Sequence, residues 1–158
     1  MKKTVIFTLV LLLSASLYSE ELKIKANSFT SDQNTGVSVF SGNVNIKKTN
    51  DELNASKVVI FLDTKRKPKK FVATGHVSFI ITTKEGTEYT GVAEKAIYFP
   101  RKKEYYFYNN VHLKQLNDDN EILGDEVVLK TIEGKAYAKG LKKEPVIMIF
   151  NIDDEEKK

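Results

Sequence analysis

The chain has no cysteine. That excludes a disulfide framework, a thiolate metal site and anchoring through a lipidated cysteine. Burial and strand pairing must therefore hold the structure together. Only three prolines occur, Pro68, Pro100 and Pro145, and each falls at a turn or a strand start. Histidine is also scarce. His76 and His112 stand where related segments of the chain carry Asn or Ser, which marks them as outward polar positions and not as ligands or bases. No phosphate loop and no nucleophile elbow is present. The acidic stretch Asp118, Asp119, Glu121, Asp125 and Glu126 lacks calcium-loop spacing and its central glycine, and reads as a turn and a strand start. No catalytic residue, cofactor or metal is therefore expected.

Long apolar runs are missing too. The longest, residues 4–13, falls short of the ~20 residues of a membrane span. It follows Met1-Lys2-Lys3 and precedes the small residues of Ser14-Ala15-Ser16-Leu17-Tyr18-Ser19. This is the pattern of an export signal over residues 1–19, cleaved after Ser19 or Ser16. Loss of Lys2 and Lys3 leaves 23 basic and 21 acidic residues, a balance of +2. That is not the charge of a nucleic-acid binder, so no nucleic acid is expected as a partner.

What the chain does have is a repeat. Phe40-Ser41-Gly42-Asn43-Val44-Asn45-Ile46 returns as Ala73-Thr74-Gly75-His76-Val77-Ser78-Phe79 and as Phe107-Tyr108-Asn109-Asn110-Val111-His112-Leu113. Val44, Val77 and Val111 are spaced 33 and 34 residues apart. A second phrase lies between the copies: Ala55-Ser56-Lys57-Val58, Ala93-Glu94-Lys95-Ala96 and Gly124-Asp125-Glu126-Val127, with a weaker form at Ala26-Asn27-Ser28-Phe29. A fixed period of this size marks stacked units, none of which can bury its apolar face alone.

Each first phrase alternates with period two, so it reads as a strand. Phe71, Ala73, Val77, Phe79 and Ile81 share one face, as do Tyr105, Phe107, Val111 and Leu113. The mid-strand glycine predicts a bulge. Asn109 replaces it in the third copy and still tolerates positive φ. The strands after the second phrase (58–62, 96–99 and 127–129) are apolar on both faces, as if covered on both sides. Turns are predicted at 32–36, 84–86, 117–120 and 133–134. Two basic turns, 65–70 and 100–103, occupy equivalent places and should lie side by side. Each reads as a solvated turn or as a ridge for an anionic partner. The last strand is expected over 146–152, with a disordered charged tail over 153–158.

The run from Gly36 to Val44, followed by Leu53-Asn54-Ala55-Ser56-Lys57-Val58-Val59, resembles the OstA-type domain of the LptA family of lipopolysaccharide transport. The likeness spans about 22–150. His76 for asparagine and Asn109 for glycine depart from the pattern at the bend. The resemblance implies an all-β fold over 20–152, a twisted, slightly open antiparallel β-jelly roll. It also implies a periplasmic protein whose interior holds the acyl chains of lipopolysaccharide, with Leu22, Ile24, Phe79 and Tyr98 on the lining. Alternation adds Val44, Ile46, Val58, Ile60, Phe107, Val111 and Leu113, for each of which ordinary core is the competing reading. By resemblance, the edge of Leu22, Lys23, Ile24, Lys25 and Ala26 would dock on an LptC-type inner-membrane protein. The edge of Val146, Ile147, Met148, Ile149 and Phe150 would dock on a second copy, giving an end-to-end homo-oligomer, or on an LptD-type outer-membrane translocon. Two alternatives stand beside this reading. One is an LptC-like component anchored by an uncleaved first segment. The other is an exported β-solenoid acting as a scaffold or polysaccharide binder.

Overall fold

A computed structural model describes residues 20–141 and 144–152. The export signal expected over 1–19 and the tail over 153–158 lie outside the described residues. The strands are β1 (Leu22–Lys25), β2 (Ser28–Asp32), β3 (Val37–Lys48), β4 (Asp51–Leu62), β5 (Pro68–Thr82), β6 (Glu88–Phe99), β7 (Glu104–Gln115), β8 (Glu121–Lys130), β9 (Lys135–Lys139) and β10 (Ile147–Ile149). No helix occurs among the described residues. All strands join one antiparallel sheet in which β3 to β8 pair in sequence order.

That sheet is folded on itself along a line of bulges. In β3, β5 and β7 two consecutive residues have positive φ: Gly42 (79°) and Asn43 (47°), Gly75 (81°) and His76 (46°), Asn109 (66°) and Asn110 (49°). At each of these places the register with the neighbouring strands shifts. The predicted bend therefore survives both departures from the glycine–asparagine pattern. Gly75 is needed for a second reason. A Cβ there would stand 2.7 Å from Ser56 Oγ, whose hydroxyl donates to the Gly75 carbonyl at 3.2 Å.

The bulge divides every long strand into two halves, and the halves form two facing layers. The first layer is edged by β2 and β9, which pair with 37–41 of β3 and 126–130 of β8. The second is edged by β1 and β10, which pair with 45–48 of β3 and 121–123 of β8. One inward row of the first layer runs Phe40, Val58, Ala73, Ala96, Phe107, Val127. Its counterpart in the second layer runs Ile24, Ile46, Leu53, Phe79, Gly91, Leu113, Ile122. The rows meet where Phe79 stacks on Phe107, ring centroids 3.9 Å apart. Gly91 makes the stack possible, since a Cβ there would lie 2.6 Å from Phe79 Cζ. The result is a twisted, slightly open β-jelly roll.

Two expectations change. Strands 58–62, 96–99 and 127–129 are covered on one side only. Val59, Phe61, Val72 and Ile97 face outward and are half-buried by their neighbours, as where Lys70 Nζ lies 4.4 Å from the Phe61 ring centre. Lysine stems thus do the shielding that a second layer was expected to do. The last strand is also shorter than 146–152, because β8 begins at Glu121, opposite Ile149, and offers no partner beyond it.

Candidate functional site

Between the layers, towards the end of β3 and the start of β4, lies a pocket with ≈ 530 Å³ of atom-free space, part of it open to solvent. Leu22, Ile46, Leu53 and Ile81 line it from the second layer, and Val58, Phe71, Ala96, Tyr98 and Tyr105 from the first. Its walls are apolar because alternation turns β-branched, aliphatic and aromatic residues inward on both layers.

The rim is polar. Asp51 reaches across from the second layer. Its carboxylate accepts the Thr82 backbone N–H at 2.8 Å and the Tyr105 hydroxyl at 3.2 Å. Burial pushes the Asp51 carboxyl above its usual range and outweighs these two donors. Burial, reinforced by the Asp51 charge, likewise pushes the Tyr105 phenol far up, so it stays a donor at any physiological pH. Lys48 pairs with Glu20 at 2.7 Å. Burial alone would lower the Lys48 ammonium, but Glu20, Tyr98 and Asp51 together raise it. The hydrogen bond and charge of Lys48 hold Glu20 below the ordinary glutamate range.

Of the residues expected to line the interior, Leu22, Ile46, Val58 and Tyr98 stand on the pocket wall. Ile24 packs at the edge of the core. Val44, Ile60, Phe79, Phe107, Val111 and Leu113 are buried in the packed core, off the pocket wall. Phe71, Ile81 and Tyr105 also reach the wall, and their place on the inward face was legible in the alternation. Leu53, Lys48 and Asp51 gave no comparable signal.

Both ends of the jelly roll carry free edges. Among the described residues, β1 and β2 each pair only with β3, and β9 and β10 only with β8. Ala26 lies just beyond β1, and Val146 just before β10. Phe29 on β2, opposite Phe40 with ring centroids 4.8 Å apart, is 58% exposed at one end. Met148 and Phe150 are 52% and 60% exposed at the other.

The two basic turns are neighbours, as expected, joined by an ion pair between Arg101 and Asp63. Asp63 also accepts the backbone N–H groups of Lys65 and Lys67 at 2.8 and 2.9 Å, so it organises its own turn. His76 is exposed, and His112 pairs with Glu121 at 2.6 Å on the outer face. Among the described residues, no group of three or more His, Cys, Asp and Glu side chains is placed to hold a metal ion, and no helix is long and apolar enough to cross a membrane.

Comparison with curated protein sequences finds no match. Among solved structures, the chain is similar to LptH from Pseudomonas aeruginosa, described as the LptA homologous periplasmic component of the lipopolysaccharide transport device. The two share 15% identity and superpose with a TM-score of 0.73 over 84% of this chain and 96% of the other, a likeness of fold. Residues 23–135 match the model of the LptA/(LptD N-terminal domain) lipopolysaccharide transport proteins. With most of its length covered by that model, the chain belongs to the LptA/(LptD N-terminal domain) lipopolysaccharide transport family.

Proposed function

We propose that this chain is a periplasmic link in a bridge that carries lipopolysaccharide from the inner to the outer membrane, holding its acyl chains between the two layers. The observation that carries the reading is an apolar interior in a jelly roll with free strand edges at both ends. Burying one methylene contributes about 0.8 kcal/mol, so a twelve-carbon chain contributes on the order of 10 kcal/mol. A lipid with several such chains does not cross water unshielded, and direct hand-off between similar grooves avoids that cost. Exposed edges normally invite pairing with another chain. Here β1 and β2 would receive an LptC-type protein, and β9 and β10 a second copy or an LptD-type translocon. The reading assigns no catalysis.

Photo-crosslinking in cells tests it. A crosslinking residue at Tyr98, on the pocket wall, is expected to yield a lipopolysaccharide adduct. The same residue at Val92, exposed on the outer face of the second layer, is expected to yield none. Equal labelling at the two positions, or none at Tyr98 in a folded and exported protein, overturns the proposal.

A further inference from the structure

Outside the apolar pocket, the rim opens into a polar recess with ≈ 960 Å³ of atom-free space, part of it open to solvent. Lys48, Lys84 and Lys103 line it, together with Glu20, Asp51 and several threonines. The three lysines come from different parts of the chain. Lys48 ends β3, Lys84 lies in the β5–β6 turn and Lys103 in the β6–β7 turn. Thr131, only 6% exposed, ties the backbone of two of them. Its hydroxyl donates to the Lys103 carbonyl at 2.7 Å and its backbone N–H to the same oxygen at 3.2 Å. Its own carbonyl accepts the Lys84 N–H at 3.2 Å. A buried residue thus holds two cationic turns of opposite layers around one space.

The two carboxylates of the recess differ. Asp51 is engaged with Thr82 and Tyr105 and spans the layers. Glu20 precedes β1, its side chain is 53% exposed, and it reaches Lys48 with a single ion pair. The charge of Lys103 also acts on it. With its carboxylate exposed, such a pair is weakly held although Lys48 is half-buried. Glu20 is therefore a displaceable anion within a lysine-lined recess, at the mouth of a pocket that takes an apolar chain.

We propose that this recess seats the phosphate of an amphiphile whose acyl chain lies in the pocket, and that Glu20 occupies the seat until the phosphate displaces it. The inference rests on the lipid-binding reading above and adds the headgroup to it. A phosphate accepts several charge-assisted hydrogen bonds from lysine ammoniums, and one carboxylate cannot match them. Displacing Glu20 raises the net charge of the recess, which favours a dianion.

The test uses the purified protein, as processed by the cell, and three probes below their micelle concentrations: dodecyl phosphate, dodecyl maltoside and inorganic phosphate. Binding is measured by calorimetry. Dodecyl phosphate is expected to bind more tightly than dodecyl maltoside, and inorganic phosphate only weakly. Glu20→Gln is expected to tighten dodecyl phosphate by about two- to fivefold, the range of an exposed pair, and to leave dodecyl maltoside unchanged. Lys84→Gln combined with Lys103→Gln, neither of them on the apolar pocket wall, is expected to weaken dodecyl phosphate alone. If dodecyl maltoside binds and Glu20→Gln changes neither amphiphile, the seat is refuted and the apolar site stands. If inorganic phosphate binds as tightly as dodecyl phosphate, the recess serves a free ion and the proposal is overturned. If neither amphiphile binds, the lipid-binding reading falls and the seat falls with it.

Discussion

Replacing Phe79 by alanine removes the ring that joins the two layers. Phe79 is 2% exposed, lies over Gly91, and stacks on Phe107 at 3.9 Å. Truncation of a buried phenylalanine costs about 3–5 kcal/mol. Of that, ~0.5–1.5 kcal/mol belongs to the ring–ring contact beyond the area it buries. The upper part of the range applies here. The floor beneath the ring is the bare backbone of Gly91, held by its pairing with Leu113, and it cannot collapse into the space. Against a typical domain stability of ~5–15 kcal/mol, the variant stays folded but marginal. At ~2–4 °C per kcal/mol, the ~4–5 kcal/mol at the upper end lowers its Tm by roughly 8–20 °C.

Urea titration followed by far-ultraviolet circular dichroism measures the loss. The chain has no tryptophan, so fluorescence would rest on tyrosine alone. On the proposed lipid-binding reading, the apolar cavity left by the ring lies beside Leu53 of the pocket wall, its cross-strand partner, so a dodecyl amphiphile should stabilise the variant more than the parent. Occupancy at a hundredfold excess over Kd returns about 2.7 kcal/mol. A loss under about 1 kcal/mol, set against the range for a buried ring, would show that Phe79 does not bridge the layers. A normal loss with no extra amphiphile gain would show that the two spaces are not continuous.

Three further outcomes follow from the same structure. Asp51 has a raised carboxyl, so the folded state binds its proton more tightly than the unfolded chain does. Its contribution is therefore greatest at low pH and is lost as pH rises from ~3.9, its unfolded value, through the higher folded one. Asp51→Asn should flatten that part of the urea-midpoint profile, and an unchanged profile would refute the assignment. Asn109 sits at φ 66°, so Asn109→Val should cost about 1–2 kcal/mol while Asn109→Gly costs little. Equal thermal stability of the two variants would remove the bend argument. On the proposed end-to-end assembly, deleting residues 146–152 should abolish concentration-dependent association in sedimentation velocity, and identical oligomers in the truncated protein would place the contact elsewhere.

Much of this architecture was legible in the residues. The repeat placed the bulges, and alternation put Phe71, Ile81, Tyr105 and Phe107 inside. On the even strands alternation held within each half, as at Val58 and Ile60, but broke at the corner. There the inward residues stand three apart, as in Ala55 and Val58 or Ala93 and Ala96, because two outward residues follow one another at the corner. Strands β2 and β9 were missed as edges. Both are short, polar or lysine-rich, and strand only because β3 and β8 offer them unpaired halves. Asp51, Lys48 and Thr131 gave no signal, since their roles arise from contacts between turns far apart in the chain. Alternation likewise could not separate core from pocket wall. Val58 and Phe107 are both fully buried, yet only Val58 borders the pocket.

The alternation of strand types sets a unit of length. Only odd-numbered long strands carry the paired left-handed residues, so the corner line continues only if strands are added two at a time. With strands about 4.8 Å apart, each added pair extends the two layers by roughly 10 Å. A relative with longer layers must then be longer by whole hairpins of one repeat. An insertion of a single strand would put an even strand where a bulge is required, and the two layers would part at that point.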